Sequence, residues 1–231
     1  MSEPGLRIHP AGGLTGELAV PGDKSVSHRA VLLGAISSGP VQVRGFGASA
    51  DTLSTVSAVE ALGVEVEHAG ETELVVHGAG LRGLRAPGGP IDVGNAGTLI
   101  RLLPGILAGQ SGSFELTGDE SIRSRPMERI AEPLRQMGVD IETDGGRPPL
   151  RIAATGRTEP IAYELPVASA QVKSCVLLAG LFAGRGVTEV HEPIPTRDHT
   201  ERMLRAAGVP VDRSPGRVAV SPATELRLGD V

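Results

Sequence analysis

Three segments of the chain are apolar on nearly every side of a helix: Ala30–Ile36, Leu99–Leu107 and Val172–Leu178. A helix with that pattern is buried, because no face of it is suited to water. Other helical segments, such as Met127–Met137, have an apolar stripe on one side and charged residues on the other. These amphipathic helices are expected nearer the surface. The pattern therefore predicts a core built around three buried helices.

The three apolar segments belong to a repeat. Each of them is followed by one of three glycines, Gly39, Gly112 and Gly186, which are 73 and 74 residues apart. After each glycine the pattern predicts a strand, an amphipathic helix and two more strands. The predicted strands cover residues 41–43, 64–66 and 73–76, then 113–116, 139–141 and 150–152, then 187–190, 209–211 and 217–220.

This repeat indicates an α+β fold in which three small sheets surround three buried helices. The polar starts of those helices are Ser25, Asn95 to Thr98 and Ser169 to Gln171. If all three starts met at one end of the fold, their free N–H groups would form an anion site. Pro104 and Pro133 are expected either to kink their helices or to mark the first turns.

Composition narrows the function. The 231 residues carry a net charge of −5 with no Trp, one Tyr and three Phe, so neither a basic stripe nor a stacking platform for nucleic acid is present. A single cysteine, Cys175, excludes an internal disulfide and a cysteine metal cluster. No apolar run reaches membrane-spanning length and the first residues do not resemble a signal peptide, which predicts a cytoplasmic protein without a membrane partner.

The first helix start carries the strongest chemical signal. Residues 21–29 place Lys24, Ser25 and Arg29 where the first apolar helix begins, a combination suited to a phosphate or carboxylate. Lysine occurs elsewhere only as Lys173, so Lys24 is not one of many interchangeable surface charges. The alternative is a pair of solvated surface cations.

The other two starts allow the same interpretation. At residues 92–101, Gly97 permits close approach to the backbone, and Asn95 and Thr98 are expected to cap the helix. At residues 167–174, Ser169 and Gln171 occupy the corresponding place. Taken alone, the segment at residues 92–101 is better explained as a simple capped loop, and the segment at residues 167–174 is consistent with one.

Two arginine-rich turns, residues 121–129 and 194–202, precede amphipathic helices. Arg125 stands before Pro126 and is therefore held extended, which suits a side chain directed into a cleft. His28 and His199 have neither metal-ligand spacing nor a paired carboxylate and are interpreted as structural. Cys175 is expected to be a core residue.

Five ordered motifs resemble those of 5-enolpyruvylshikimate-3-phosphate synthases (3-phosphoshikimate 1-carboxyvinyltransferases). They lie at residues 21–29, 94–98, 125–129, 169–174 and 195–200, and the last three are similar to the branch called class II. The related UDP-N-acetylglucosamine enolpyruvyl transferases typically have Lys-Asn where this chain has Lys24-Ser25, and a reactive loop cysteine that this chain lacks.

The resemblance implies the enolpyruvyl transferase fold, an inside-out α/β barrel or α-β prism, and transfer of the enolpyruvyl group of phosphoenolpyruvate to shikimate 3-phosphate without metal or cofactor. It assigns Lys24 and Arg125 to catalysis. It assigns the shikimate 3-phosphate site to Lys24, Ser25, Arg29, Ser169, Ala170, Gln171 and Arg197, and the phosphoenolpyruvate site to Lys24, Asn95, Gly97 and Arg125. Glyphosate would occupy the phosphoenolpyruvate site.

Members of this family are about twice as long as this chain. The resemblance therefore divides the chain into residues 1–20, partial strands of an otherwise missing second domain, residues 21–226, a complete three-repeat substrate domain, and residues 227–231, a truncated crossing between domains. A complementing C-terminal half is an expected partner, because that half supplies the remaining charged groups. The alternative is an inactive fragment that binds only shikimate 3-phosphate or a similar phosphorylated ligand.

Overall fold

A computed structural model describes residues 6–7, 9–10 and 12–231. Its helices are α1 Lys24–Ala35, α2 Ala50–Ala61, α3 Leu99–Leu107, α4 Glu120–Arg123, α5 Glu128–Gln136, α6 Ala170–Gly180 and α7 His199–Ala206. Its strands are β1 Ser38–Arg44, β2 Glu65–His68, β3 Glu73–Ala79, β4 Ile91–Asp92, β5 Ser111–Thr117, β6 Asp140–Asp144, β7 Arg147–Thr155, β8 Ala162–Glu164, β9 Thr188–His191, β10 Val211–Ser214 and β11 Arg217–Val220.

The strands form three separate sheets, one for each predicted repeat. Their orders are β1-β3-β2, β4-β5-β7-β6 and β8-β9-β11-β10. Each sheet contains the three strands that the repeat predicts, and these three strands are antiparallel to one another where they pair. The predicted α+β arrangement of three small sheets is confirmed.

Two edge strands were not predicted. β4 and β8 have two and three residues, precede α3 and α6, and pair parallel with β5 and β9. Strands this short show no alternation of apolar and polar residues, so periodicity cannot reveal them. They occupy the same position in the second and third sheets.

In the first sheet the end of the chain takes that position. The Val231 N–H donates to Gln42 O at 2.9 Å, and Val231 O accepts from the Arg44 N–H at 2.7 Å. This is the hydrogen-bond pattern of a parallel pair in which Val231 lies opposite Val43. All three sheets are thus extended in the same way at the same edge.

The core lies between the sheets and is built on α1, α3 and α6, which are buried along most of their length. α3 and α6 cross at closest approach where Gly105 meets the backbone of Cys175, since a Cβ on Gly105 would lie 2.3 Å from Cys175 O. α2, α5 and α7 bury one face and expose the other. The predicted division between buried and amphipathic helices is confirmed.

Some local predictions differ from the structure. β10 begins at Val211 and not at Val209, because Pro210 has no N–H to donate to a neighbouring strand. Pro104 and Pro133 are both the sixth residue of their helices, so neither marks a first turn.

The partial strands expected within residues 1–20 are residues 6–8 and 17–20, each without its usual sheet partner. Residues 17–20 have no strand structure, and Leu18 and Val20 are 80% and 75% exposed. Within the other predicted strand, Leu6 to Ile8, Ile8 lies outside the described residues, as do residues 1–5. That residues 1–20 belong to a second domain, and that residues 227–231 begin a crossing to it, stay predictions.

Across the part of the chain that the structure describes, the longest helices have 12 residues and none is long and apolar enough to cross a membrane.

Candidate active site

The starts of α3 and α6 meet directly. Gln171, the second residue of α6, donates from Nε2 to Thr98 Oγ1 at 3.1 Å and accepts from Arg101 Nη1 at its Oε1 at 3.0 Å. Thr98 immediately precedes α3, and Arg101 lies in its first turn. Two of the three helix starts are therefore joined by side chains.

Arg29 joins α1 to α6 and α7. Its Nη2 donates to Ser174 Oγ at 2.9 Å, its Nε to Thr200 Oγ1 at 2.7 Å, and its Nη1 to Ser25 O at 2.9 Å. A guanidinium has five N–H groups, so two remain for a ligand. Burial lowers the pKa of Arg29 to about 10, partly offset by the charge of Glu201, and the group stays protonated at neutral pH.

The most exposed cations of the site lie on either side of Ser25. Arg197, in the loop before α7, donates from Nη1 to Ser25 Oγ at 3.2 Å. Lys24 pairs with Asp51 of α2 at 2.8 Å, with 57% of its side chain exposed. An exposed pair of this kind contributes only about 0–1 kcal/mol, so an anion can compete with Asp51 for Lys24.

The loop before α3 holds Arg125. Asn95 accepts from Arg125 Nη2 at 2.8 Å and donates to Asp119 at 2.7 Å. The guanidinium lies over Gly97, where an added Cβ would come within 2.3 Å of Arg125 Nη1. The Gly97 N–H, predicted to face phosphoenolpyruvate, donates to Asn95 O at 2.8 Å in this structure.

The three helix starts are capped differently. Asp23 caps α1 by accepting from the Val26 N–H, and Ser169 caps α6 by accepting from the Val172 N–H. The expected capping of α3 by Asn95 and Thr98 is wrong, because α3 has no side-chain cap. Those two side chains bind Arg125, Asp119 and Gln171 instead.

Charge concentrates at this end of the fold. The pKa of Arg101 is lowered by burial and then by the nearby positive charges of Arg129 and Arg125. Arg197 likewise lowers the pKa of Arg29, although burial is the larger cause. Cations that crowd together in a protein of net charge −5 form a site for an anion.

All ten site residues predicted from the sequence lie at this end of the fold, near the starts of α1, α3 and α6. Hydrogen bonds pair Ser25 with Arg197, Ser25 with Arg29, and Asn95 with Arg125. The Lys24 ammonium donates to Asp51, which was not predicted as a site residue, and to none of the ten that were. Ala170 is the first residue of α6, where its N–H has no partner within the helix.

Sequence reasoning missed four polar residues that line or support this site. Arg101 and Ser174 follow Gly97 and Ala170 by four residues, and Ser174 donates to Ala170 O at 2.6 Å. This spacing places each on the site-facing side of its helix and would have identified it. Thr98 and Thr200 lie within the quoted motifs, but only the tertiary contacts to Gln171 and Arg29 reveal their roles.

Two of the groups interpreted as structural, His28 and Cys175, lie in the core. His28 is fully buried with Nδ1 at 2.6 Å from Thr55 Oγ1, and Cys175 is fully buried in α6, where burial raises its thiol pKa to about 12. His199 begins α7, and its Nδ1 has no hydrogen-bond partner among the described residues, so its structural role stays a prediction. No cluster of three or more potential metal ligands occurs among the residues described.

His28 makes stability sensitive to pH. Burial lowers its pKa to about 4, with smaller contributions from Asp51, which raises it, and from Lys24 and Arg29, which lower it. The unfolded chain has a histidine pKa of about 6.5 and binds the proton first, so stability falls as the pH drops from about 6.5 toward 4. We expect the free energy of unfolding to be about 2 kcal/mol smaller at pH 5 than at pH 7 from this group.

Urea unfolding at both pH values measures this loss. His28→Gln is expected to remove most of the difference between the two pH values, whereas His68→Gln, at an exposed position of β2, is expected to retain it. An equal pH dependence in His28→Gln and in the unaltered chain would contradict the assignment.

Comparison with known proteins identifies the family of this chain. The family model described as EPSP synthase (3-phosphoshikimate 1-carboxyvinyltransferase) matches residues 8–230. A 3-phosphoshikimate 1-carboxyvinyltransferase of Methylococcus capsulatus is 53% identical over 218 residues, which are 94% of this chain and 50% of that protein. A protein of the same name from Alkalilimnicola ehrlichii is 51% identical over 98% of this chain and 51% of its own length.

A solved structure has the same fold. The EPSP synthase from Acinetobacter baumannii matches with a TM-score of 0.90 and 47% identity, over 94% of this chain and 49% of its own. The expected enolpyruvyl transferase fold is thereby confirmed. The chain spans about half the length of the relatives that it matches. Because the family model covers nearly the whole chain, the identities are about 50% and the fold matches, this chain belongs to the EPSP synthase (3-phosphoshikimate 1-carboxyvinyltransferase) family.

Proposed function

We propose that this chain supplies about half of the active site of an enolpyruvyl transferase that joins phosphoenolpyruvate to the 5-hydroxyl of shikimate 3-phosphate. The hydroxyl oxygen adds to C2 of phosphoenolpyruvate while C3 gains a proton. The hydroxyl loses its proton in this addition. Inorganic phosphate then leaves C2 of the tetrahedral intermediate while C3 loses a proton, which gives the enol ether. The reaction belongs to the biosynthesis of aromatic amino acids.

One observation carries this proposal: the starts of three buried helices converge, and cations surround them at one end of the fold. Arg29 and Arg197 reach Ser25 from α1 and from the α7 loop, and Arg101 reaches Gln171 between α3 and α6. Both proposed substrates carry phosphate and carboxylate groups. Preorganised cations stabilise such charges and the charge that develops during addition.

The shikimate 3-phosphate would lie between α1 and α6. Ser169, the Ala170 N–H and Gln171 are placed at the α6 start to receive its phosphate together with Arg197. The two N–H groups of Arg29 that remain free suit the shikimate carboxylate.

Phosphoenolpyruvate would lie beside the loop before α3. Arg125 is held over Gly97 by Asn95, and Lys24 faces both ligands as the second catalytic cation. Gly97 allows this approach, because any larger residue would displace the Arg125 guanidinium. Binding at the Gly97 N–H would require phosphoenolpyruvate to replace its hydrogen bond to Asn95 O.

A second function is favoured by the length of the match. Because the chain spans about half of its relatives, it also suits a domain that binds shikimate 3-phosphate without turning it over. Lys24 and Arg125 alone do not enclose the reacting carbon or exclude water. We therefore expect no enolpyruvyl transfer by the 231 residues alone.

Binding is the first test. We expect the chain to bind shikimate 3-phosphate weakly, and Arg197→Ala to weaken binding by about 10- to 100-fold, as expected for the loss of a charge-assisted contact. Isothermal titration calorimetry measures both affinities. Arg29→Ala is expected to be as harmful, but Arg197 is exposed and its replacement leaves the core intact.

Arg185→Ala is the matched control, because Arg185 is an exposed arginine beyond the other end of α6. The absence of binding at millimolar ligand, or equal weakening by the control, would contradict the proposed site. Turnover is then measured after the chain is joined to the C-terminal half of a full-length relative. Binding without turnover in that fusion would favour the non-catalytic domain.

A further inference from the structure

A buried cluster of charges lies behind the site. Lys173 of α6 is fully buried, with Nζ at 3.1 and 3.0 Å from the two carboxylate oxygens of Glu192 and at 2.7 Å from Glu201 Oε1. Glu192 follows β9, and Glu201 lies in the first turn of α7; both are buried as well. None of the three was predicted as a site residue.

Stability alone is a poor explanation for such a cluster. Removing charges from water is costly, and well-packed apolar side chains of similar volume often replace a buried ion pair without loss. In some proteins such a cluster instead fixes one arrangement of the chain. The groups that this cluster holds in place are therefore informative.

The Glu192 carboxylate binds the loop that leads to Arg197. Its Oε2 accepts from the Thr196 N–H at 3.0 Å and from Thr196 Oγ1 at 2.8 Å. Burial alone would raise the pKa of Glu192, but the hydrogen bonds from Lys173 and Thr196 outweigh it and lower the pKa. The carboxylate is thus charged and fixes the residue next to Arg197.

Glu201 secures the other end of the same segment. It is adjacent to Thr200, whose hydroxyl accepts from Arg29 Nε at 2.7 Å and contacts Ser174 Oγ at 2.8 Å. Lys173 therefore anchors both ends of residues 192–201 to α6 through two carboxylates. Arg197 lies between these two anchors. Among the described residues, its side chain hydrogen-bonds only to Ser25.

We propose that Lys173, Glu192 and Thr196 are positioning residues that hold Arg197 where it binds the phosphate of the substrate. The proposal rests on the proposed function for the identity of the ligand. None of the three needs to touch the ligand. The cluster acts through the loop that carries Arg197. It limits the conformations of this loop before the ligand binds, so less conformational entropy is lost on binding.

Thr196→Val tests this step, because it removes one hydroxyl from a half-buried position and leaves the charges of the cluster in place. We expect shikimate 3-phosphate to bind about 5- to 10-fold more weakly to this variant, and Thr196→Ser to restore binding. Lys173 itself is less suitable, because its loss would leave two buried carboxylates without a cation and threaten folding.

A double-mutant cycle separates positioning from a general effect. In an Arg197→Ala background, Thr196→Val is expected to change the affinity by less than about 2-fold, since the side chain that it positions is gone. In a Gln171→Ala background the full effect of about 5- to 10-fold is expected to remain. Equal losses in both backgrounds, or unaltered binding by Thr196→Val alone, would overturn the proposal.

Hydrogen exchange without ligand keeps the two proposals distinguishable. We expect the amides of residues 196 and 197 to exchange at least about 5-fold faster in Thr196→Val than in the unaltered chain, with an unchanged melting temperature. Unchanged exchange would overturn the positioning role even if the ligand binds. Faster exchange in a chain that binds no shikimate 3-phosphate would instead support the positioning role and reject the proposed function.

Discussion

Gly105→Ala is expected to destabilise the chain by about 3 kcal/mol or more, at the upper end of what overpacking a core costs. The new methyl would lie 2.3 Å from Cys175 O and 3.1 Å from the carbonyl carbon. A backbone carbonyl cannot rotate away as a side chain can, so α3 and α6 would have to separate. The gain of about 1 kcal/mol in helix propensity from glycine to alanine is smaller than this cost.

Urea unfolding followed by far-UV circular dichroism measures the loss. Gly184→Ala is the matched control, because no atom lies within 4 Å of a Cβ at Gly184 and its backbone is not left-handed. We expect the control to remain within about 0.5 kcal/mol of the unaltered chain. A similarly small change in Gly105→Ala would show that the two helices adjust without cost.

The same separation would reach the site. The starts of α3 and α6 are joined by the hydrogen bonds of Gln171 to Thr98 and Arg101. The crossing at Gly105 thus fixes the distance between two of the three helix starts. The stability of the core and the geometry of the anion site depend on one close contact between helices.

The buried helices and most strands could be predicted because their signals are local. Helices with apolar residues on every side, such as α3 and α6, are stable only in the core. The glycines that follow these helices recur with a nearly constant period. The edge partners could not be predicted. β4 and the single residue Val231 are defined by the strand beside them, and their own sequence carries no period.

The sequence predicted which residues form the site but not the hydrogen bonds that join them. Short motifs named Ser25, Arg29 and Arg197. The hydrogen bond between Arg197 and Ser25 spans 172 residues, and the one from Arg29 goes to the backbone oxygen of Ser25. Hydrogen-bonding competition explains the failed capping prediction for Asn95, whose amide meets two stronger charged partners, Asp119 and Arg125.

The burial of Lys173 is the clearest case of tertiary structure overriding sequence expectation. A lysine in the first turns of a helix is usually solvated, and only the folded chain brings Glu192 and Glu201 to it from two other elements. Lysine is so rare in this chain that its two positions are both informative, one facing the site and one behind it.

Lys24→Met is expected to lower kcat/KM by about 100- to 1,000-fold in the chain joined to the C-terminal half of a full-length relative. Removing one preorganised group that stabilises developing charge typically costs that much. Methionine keeps the length of the apolar stem, so α1 and its cap at Asp23 are preserved. Steady-state release of inorganic phosphate measures the rate.

Asp51→Asn separates the charge of Lys24 from the ion pair that Lys24 makes in this structure. The pair is 2.8 Å long and largely exposed on the lysine side, so its loss is expected to change kcat/KM by less than about 5-fold. Equal losses in Lys24→Met and Asp51→Asn would mean that the contact between α1 and α2 matters and the free ammonium does not. A large loss in Lys24→Met alone would place the ammonium on the reacting substrates, because Asp51 would then serve only to hold it until they arrive.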